Sequence, residues 1–464
     1  MSQAQKKILH LYARAGFGID YKSWQRFSEN SIEKNIQQLF DDSANYSNLS
    51  VVDEDMTKKK IKDLKGEEKK EFKKQLREKV QELNTTWFLK MANDNAQLRE
   101  KMTLFWHGHF ACRIDNPLFL QDLNNILRAN ALGDFKKMLS EVSKSPAMLQ
   151  FLNNQQNKKD HPNENFAREV MELFTIGRDN YSEQDIRESA RAYTGWRFNK
   201  DGQFEFVERI HDDGSKTFMG KTGNFNGDDI LGIILQQIQT AHFITKKIYA
   251  FLVNDDVDES RVTELSESFF NSGYDIGSLL KNIFSSNWFY ERQNVGTKIK
   301  SPTELIVGTN KLFSVMYQDP KVLLYMQRLL GQVLFYPPNV SGWKGGKSWI
   351  DSSSLMFRIK LASIVLNSGI INMEVKNDMP EDFMMMMEQE HKIQQKVQKK
   401  VQTIVDWNSF LNTLPANISQ KELIAFILMP DLSKNMEQLL DPFSKEKIKD
   451  ITIQLLSTPQ YQLC

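Results

Sequence analysis

Residues 57–83 are dense in lysine and glutamate, yet Phe72, Leu76, Val80, Leu83, Trp87 and Met91 recur from within that run at spacings of three and four. A side chain returns to the same face of an α-helix after roughly 3.6 residues and to the same face of a strand after two, so this spacing admits a helix and excludes a strand. The charges then form a solvated face with i,i+4 pairs. Residues 57–95 are therefore predicted to be one long charged helix that projects partly from the body. A basic membrane-surface helix would share the spacing, but here glutamates interleave evenly with the lysines.

The same periodicity dominates elsewhere. The opening helix is expected to end at Gly16, with Asp20 capping the next one and turning Trp24 and Phe27 inward. Helices are expected at Leu98–Phe110, Leu118–Asn130, Phe135–Ser143 and Asn165–Phe174. Ser182 followed by Asp185 is close to a capping box at a further helix start. The clearest β signal is Trp196-Arg197-Phe198 and Phe204-Glu205-Phe206-Val207 on either side of Asp201-Gly202, which predicts a hairpin. His211–Gly227 is rich in Gly, Asp and Asn and is expected to be mostly loop. Helices resume at Asp228, Thr240, Val262 and Ile276. Leu334–Trp349, with two prolines and three glycines, is expected to be a structured loop with aromatic anchors. A last helix of the body should follow over Leu355–Ser368.

The fold class is thus mainly α: a multi-helix globular body with one small β-hairpin near 196–207 and long structured loops. The body is expected over 1–368, with 196–227 as a hairpin and loop insert. Past Ile370 the texture changes. Met384–Met387 lies among acidic residues and Gln394–Gln402 repeats Gln, Lys and Val, so 369–406 is expected to be a polar linker and 407–464 a small helical tail.

Composition narrows the function classes. The 60 basic and 59 acidic residues cancel, without the net basic footprint of a nucleic-acid binder, so no nucleic-acid partner is expected. Two cysteines, Cys112 and Cys464, form neither a CxxC pair nor a disulfide framework and read as free thiols of a reducing compartment. The N-terminal stretch is too interrupted for a secretory h-region, and no run approaches the roughly 18 apolar residues of a membrane span. A cytoplasmic protein is expected from the chain as given, unless a leader has been removed.

Several stretches are long enough to carry a resemblance. They are His10-Leu11-Tyr12-Ala13-Arg14-Ala15-Gly16-Phe17-Gly18, Leu98–Phe110 with Trp106-His107-Gly108-His109, and Pro162–Phe174. Tyr193-Thr194-Gly195-Trp196, His211-Asp212-Asp213-Gly214, Ser272–Ile276, Lys300-Ser301-Pro302 and Pro337-Pro338-Asn339-Val340-Ser341-Gly342-Trp343 add to them. Together, over residues 8–365, they resemble a bacterial family catalogued as domain of unknown function 1800. What the resemblance implies is associative: members lie beside genes for a secreted, sulfatase-like family, which suggests such a protein as partner and envelope or polysaccharide biology, with a glycan as ligand.

Polar density is highest at Trp106–His109, Glu164–Glu172 and His211–Asp213. Histidines and carboxylates are the donors zinc and iron prefer, so this inventory suits a divalent metal, with His107 and His109 as ligands. On a continuous helix those two point nearly opposite ways, and both could ligate only if the helix ended by Gly108. Glu169 and Glu172 are i,i+3 and share a helical face. Local readings stand beside these: Arg168 bridging Glu164 and Glu172, His107 hydrogen-bonded in the core, His211 satisfying backbone groups. No HExxH, serine elbow, Walker loop or dinucleotide fingerprint is present, and Gly342–Lys347 lacks P-loop spacing.

The favoured reading is a hydrolase acting on a cell-envelope or exported polysaccharide. Glu169, Glu172, His211 and Asp212 are the catalytic candidates, and Trp106, Arg168, Trp196 and Trp343 the substrate-binding ones. Glycan cleavage requires two carboxyl groups across a cleft and aromatic platforms for the rings. The alternative is a non-catalytic partner or assembly factor of the sulfatase-like protein. The three polar segments are expected to converge.

Overall fold

The apolar stripe forms one side of a continuous helix. The computed structural model describes residues 1–53, 64–371, 399–433, 437–438, 440 and 443–464. Helices α1 (Gln3–Ala15), α2 (Tyr21–Phe27) and α3 (Ile32–Ala44) are followed by the long α4 (Gly66–Asn93). All six stripe residues of α4 are buried, and Leu83, Trp87 and Met91 are completely so. The helix packs against α5 (Gln97–His109), α6 (Pro117–Asn130), α15 (Pro302–Phe313) and α16 (Lys321–Leu330). Projection is confined to the turns before Phe72, where Glu67–Lys70 pair at i,i+3 across the surface. The expected start of the helix, over 57–63, lies outside the described residues.

The capping signals formed as read. Gly16 is the C-cap of α1, and the Asp20 carboxylate accepts the Ser23 N–H at 2.9 Å to start α2. Next come α7 (Phe135–Lys144), α8 (Pro146–Phe151), α9 (Glu164–Glu169) and α10 (Glu183–Ala192). The Ser182 hydroxyl accepts the Asp185 N–H while the Asp185 carboxylate accepts the Ser182 N–H, a complete capping box.

The hairpin pairs β1 (Trp196–Phe198) with β2 (Phe204–Phe206), Trp196 opposite Phe206. Its turn ends at Gly202, which has φ +77° and closes the turn with its own N–H to the Asn199 carbonyl. A second hairpin, β3 (Lys216–Phe218) with β4 (Lys221–Gly223), occupies the stretch expected to be loop. Its two turn residues, Met219 and Gly220, both have positive φ, the condition of a type I′ turn. Methionine is not a residue that announces such a turn. Burial of Phe218 and of the Lys216 side chain beneath α10 supplies what local propensity lacks.

The chain continues through α11 (Gly227–Ile234), α12 (Ile238–Leu252), α13 (Glu259–Asn271), α14 (Ile276–Ser285), α15, α16 and α17 (Ser352–Leu366). Two further strand pairs hold 399–404 to the body, Met316–Tyr317 with Thr403–Ile404 and Ile370–Ile371 with Lys399–Lys400. The Met384–Met387 run lies outside the described residues. The last helices, α18 (Trp407–Thr413), α19 (Gln420–Ile427) and α20 (Ile448–Leu456), share one hydrophobic core with the rest, and α20 packs on α17. The twenty α-helices among the described residues make the protein mainly α, with only two-stranded antiparallel sheets. None of those helices is long and apolar enough to cross a membrane.

Candidate functional site

Two carboxyl groups flank a change of helix type. After Glu169 the helix α9 widens into a π turn over Val170–Thr175, closed by Ile176 N–H to the Met171 carbonyl at 3.0 Å and by the Thr175 hydroxyl to the Val170 carbonyl at 2.6 Å. The first is a backbone i→i+5 closure, the spacing of a π turn, a feature concentrated at functional sites, and the second is a side-chain bond that caps it. Val170, Met171, Phe174 and Thr175 go to the core, while Glu169 and Glu172 stay partly exposed.

The two carboxyls have different surroundings. Glu172 is ion-paired to Arg178 and accepts the Tyr181 hydroxyl at 3.0 Å. Glu169 makes no hydrogen bond to the described residues. Burial, and then the nearby charge of Glu172, push its pKa above the ordinary glutamate value, against the opposing pull of Arg168 and Arg178. Arg168 donates to Glu164 at 3.2 Å and to both oxygens of Glu183 at 3.1 and 3.0 Å. It thus bridges α9 to α10 and does not reach Glu172. An open, polar basin lies at the start of α9, lined by Gln155, Lys158, His161, Asn163, Glu164 and Arg197. Glu164 and Glu169 are five residues apart, about 7 Å along the helix axis.

The histidines of the first segment part company. Helix α5 runs through Gly108 to His109, so the break that would let both rings meet one ligand is not there. His107 turns toward α4 and the 335–343 loop. Its Nε2 accepts the Phe335 N–H at 3.1 Å, and its ring lies against Trp87, Phe335 and Trp343. Burial, reinforced by the charge of Arg128, pushes its pKa down to about 3. His109 turns toward the π turn. Its Nε2 lies 3.1 Å from the Phe174 carbonyl and its Nδ1 3.2 Å from the Lys247 ammonium. A carbonyl only accepts and an ammonium only donates, so the proton sits on Nε2. Burial and Lys247 hold this imidazole neutral far below its usual range. The first segment therefore touches the π turn at the Phe174 carbonyl, two residues past the Glu164–Glu172 segment, and not at the candidate carboxyls. Among the described residues no three His, Cys, Asp or Glu side chains are grouped to hold a metal.

The third segment sits at the other end of α10. His211 Nδ1 lies 2.8 Å from the Thr194 carbonyl, and the ring packs on Phe206. Asp212 is held by a two-pronged contact from Arg191, at 2.7 and 3.1 Å. Burial raises the Asp212 pKa, but the Arg191 bonds outweigh it and leave the carboxyl below its usual range. Eight residues of helix, about 12 Å, separate Arg191 from Glu183. His211 and Asp212 therefore stand well away from the Glu169–Glu172 pair.

Of the proposed aromatic platforms, Trp106 and Trp196 are corrected to core positions. Trp106 has no exposed surface and donates its indole N–H to the Ala131 carbonyl at 3.2 Å, and Trp196 is 2% exposed. Neither can stack on a sugar in this conformation. Trp343 is partly exposed, beside His107. Three neighbours of the candidate residues escaped sequence reasoning: Arg178 and Tyr181 beside Glu172, and Lys247 beside His109. Lys247 carried a readable signal, since it shares a helical face with Phe243, Ile244 and Phe251. Burial pushes its ammonium down to about 8.

This mainly helical body, with its small hairpins and a π turn beside the candidate carboxyls, fits the class read from the motifs. Residues 10–463 match the family described as "Protein of unknown function (DUF1800)". The chain belongs to that family, and the match extends past the motif-bearing region to include the tail. No curated protein and no solved structure matches the chain.

Proposed function

We propose that the chain is a hydrolase acting on a cell-envelope or exported polysaccharide, with Glu169 as proton donor and Glu172 as its ionised partner. The observation that carries this reading is the asymmetry of the two carboxyls at one π turn. Glu172 is gripped by Arg178 and Tyr181. Glu169 is half-buried, without a hydrogen bond to the described residues, and keeps its proton to higher pH than a free glutamate. Glycosidic cleavage needs one carboxylic acid to protonate the leaving oxygen and a second, ionised carboxylate on the reacting carbon or on water. A polymer with many hydroxyls would find its hydrogen-bonding groups in Arg168 and the polar basin. The reading gives no step to His211, Asp212, His107 or His109.

The test is release of new reducing ends from purified peptidoglycan and from an exported polysaccharide. Turnover should fall at least about a hundredfold in Glu169→Gln and in Glu172→Gln, with circular dichroism unchanged. Release that survives both changes ends the proposal. Absence of turnover together with co-purification of a sulfatase-like protein would favour the non-catalytic partner instead.

A further inference from the structure

A second cluster of charged groups, far from the π turn, is left incompletely paired in the interior. Arg14 of α1 is 1% exposed; its Nη2 donates to the Asn294 carbonyl at 2.7 Å, and its Nε and Nη1 have no hydrogen-bond partner among the described residues. Arg358 of α17 has no exposed surface. Its Nη1 donates to the Lys300 carbonyl at 3.0 Å and to Gln462 at 3.4 Å, and its Nε and Nη2 have no hydrogen-bond partner among the described residues. Lys300 lays its ammonium 3.7 Å from the centre of the Tyr461 ring and makes no hydrogen bond to the described residues. The nearby carboxylate, Glu304, is already engaged: one oxygen pairs with Lys101 and the other accepts the Ser301 N–H at 2.7 Å.

A cavity of about 70 Å³ opens beside these groups, with Lys300, Glu304, Tyr461 and Cys464 on its polar side. A single water needs about 10–15 Å³ by the same measure, so the space accepts several waters or one oxyanion group. Arg14 and Arg358 stand behind the wall, close enough to act on the charge of Glu304. Asp255 and Cys464 also act on Arg14, but Asp255 is taken by Lys298 at 2.6 Å. Four cations thus crowd a site in which Glu304 is spent on Lys101 and Asp255 on Lys298, leaving Asp351 to act on Arg358 and Cys464 to act on Arg14 and Lys300. Buried charges and buried N–H groups are costly unless paired, so this arrangement asks for an anion.

We propose that this cavity binds a small oxyanion, the carboxylate or phosphate group of a ligand, with Lys300 in contact and Arg14 and Arg358 supplying the attracting field. Burial pushes the Lys300 ammonium down to about 8, and a bound anion would draw that value back up. Arg14, Lys101 and Lys300 belong to three motif segments that the candidate site does not explain.

Thermal unfolding of the full chain, with inorganic phosphate or acetate added at constant ionic strength, tests this. A saturable rise in Tm is expected with at least one anion. Phosphate alone assigns a phosphate group, and acetate alone a carboxylate. Lys300→Met should weaken the binding about tenfold, read by calorimetric titration of a variant whose near-ultraviolet dichroism matches the parent. If that variant does not fold, Lys300→Arg, which keeps the charge, should retain the saturable rise. No rise with either anion, a rise that never saturates (the mark of a general salt effect), or one unchanged in Lys300→Met overturns the proposal.

Discussion

Arg128 and Glu100 form an ion pair with no exposed surface on either side chain, Nε to Oε1 at 2.6 Å and Nη2 to Oε2 at 3.2 Å. Glu100 Oε2 also accepts the Trp87 indole N–H at 2.8 Å, so α4, α5 and α6 are tied together at one carboxylate. Removing one member leaves the other charged and unpaired inside the protein. Glu100→Ala should cost about 3–5 kcal/mol in urea unfolding, whereas the double change Glu100→Leu with Arg128→Met should cost clearly less than either single one. A mild effect of Glu100→Ala would show that the pair is not dry.

Gly342 is expected to tolerate no side chain. Its φ is +72°, and a Cβ there would stand 2.4 Å from the Gly108 carbonyl oxygen, the backbone of α5 beside His107. The left-handed conformation alone costs a non-glycine residue about 1–2 kcal/mol, and the backbone clash adds to it. Gly342→Ala should lower Tm by several degrees and disturb the near-ultraviolet signal of Trp343. Gly232, whose Cβ would meet open space, is the control.

Stability should fall on the acid side because of three buried neutral histidines. Burial, then Arg14, lowers His10; burial, then Arg128, pushes His107 down to about 3; burial, then Lys247, lowers His109. The folded pKa values lie below the unfolded value near 6.5, so between them the unfolded chain binds more protons. Stability is therefore complete above about pH 6.5 and declines toward pH 3, by up to about 1.4 kcal/mol per pH unit for each histidine. Chevron-derived stabilities between those limits should show a flatter acid limb in His107→Gln. An identical limb would mean the ring is hydrated.

Glu169 and Glu172 should titrate as neighbours. Part of the upward shift at Glu169 comes from the charge of Glu172, after the larger effect of burial. Carboxyl ¹³C NMR of Glu172→Gln should therefore show Glu169 titrating at lower pH than in the parent. Arg178→Gln should move it the other way, since Arg178 now favours its charged form. No change in either variant would place the two carboxyls too far apart to act together.

Periodicity and capping chemistry are local, and they determined most of the secondary structure. The stripe from Phe72 to Met91, the Asp20 cap, the Ser182–Asp185 box and the hairpin turn at Gly202 each report on a few neighbouring residues, and each formed where the sequence placed it. The hairpin at Met219–Gly220 did not announce itself, because its stability comes from Phe218 and Lys216 packing beneath α10 rather than from its turn residues. The candidate acids were legible as Glu169 and Glu172, but the π turn between them was not, since an extra residue per turn is paid for by burying Val170, Met171 and Phe174. Whether His107 and His109 would face one ligand depended on whether α5 ended at Gly108, and packing on both sides of the helix decided that it did not. Nor could the order of residues bring Arg14, Lys101, Lys300 and Arg358 together. Charges hundreds of positions apart meet only when the chain has folded, and the field they make belongs to the tertiary structure alone.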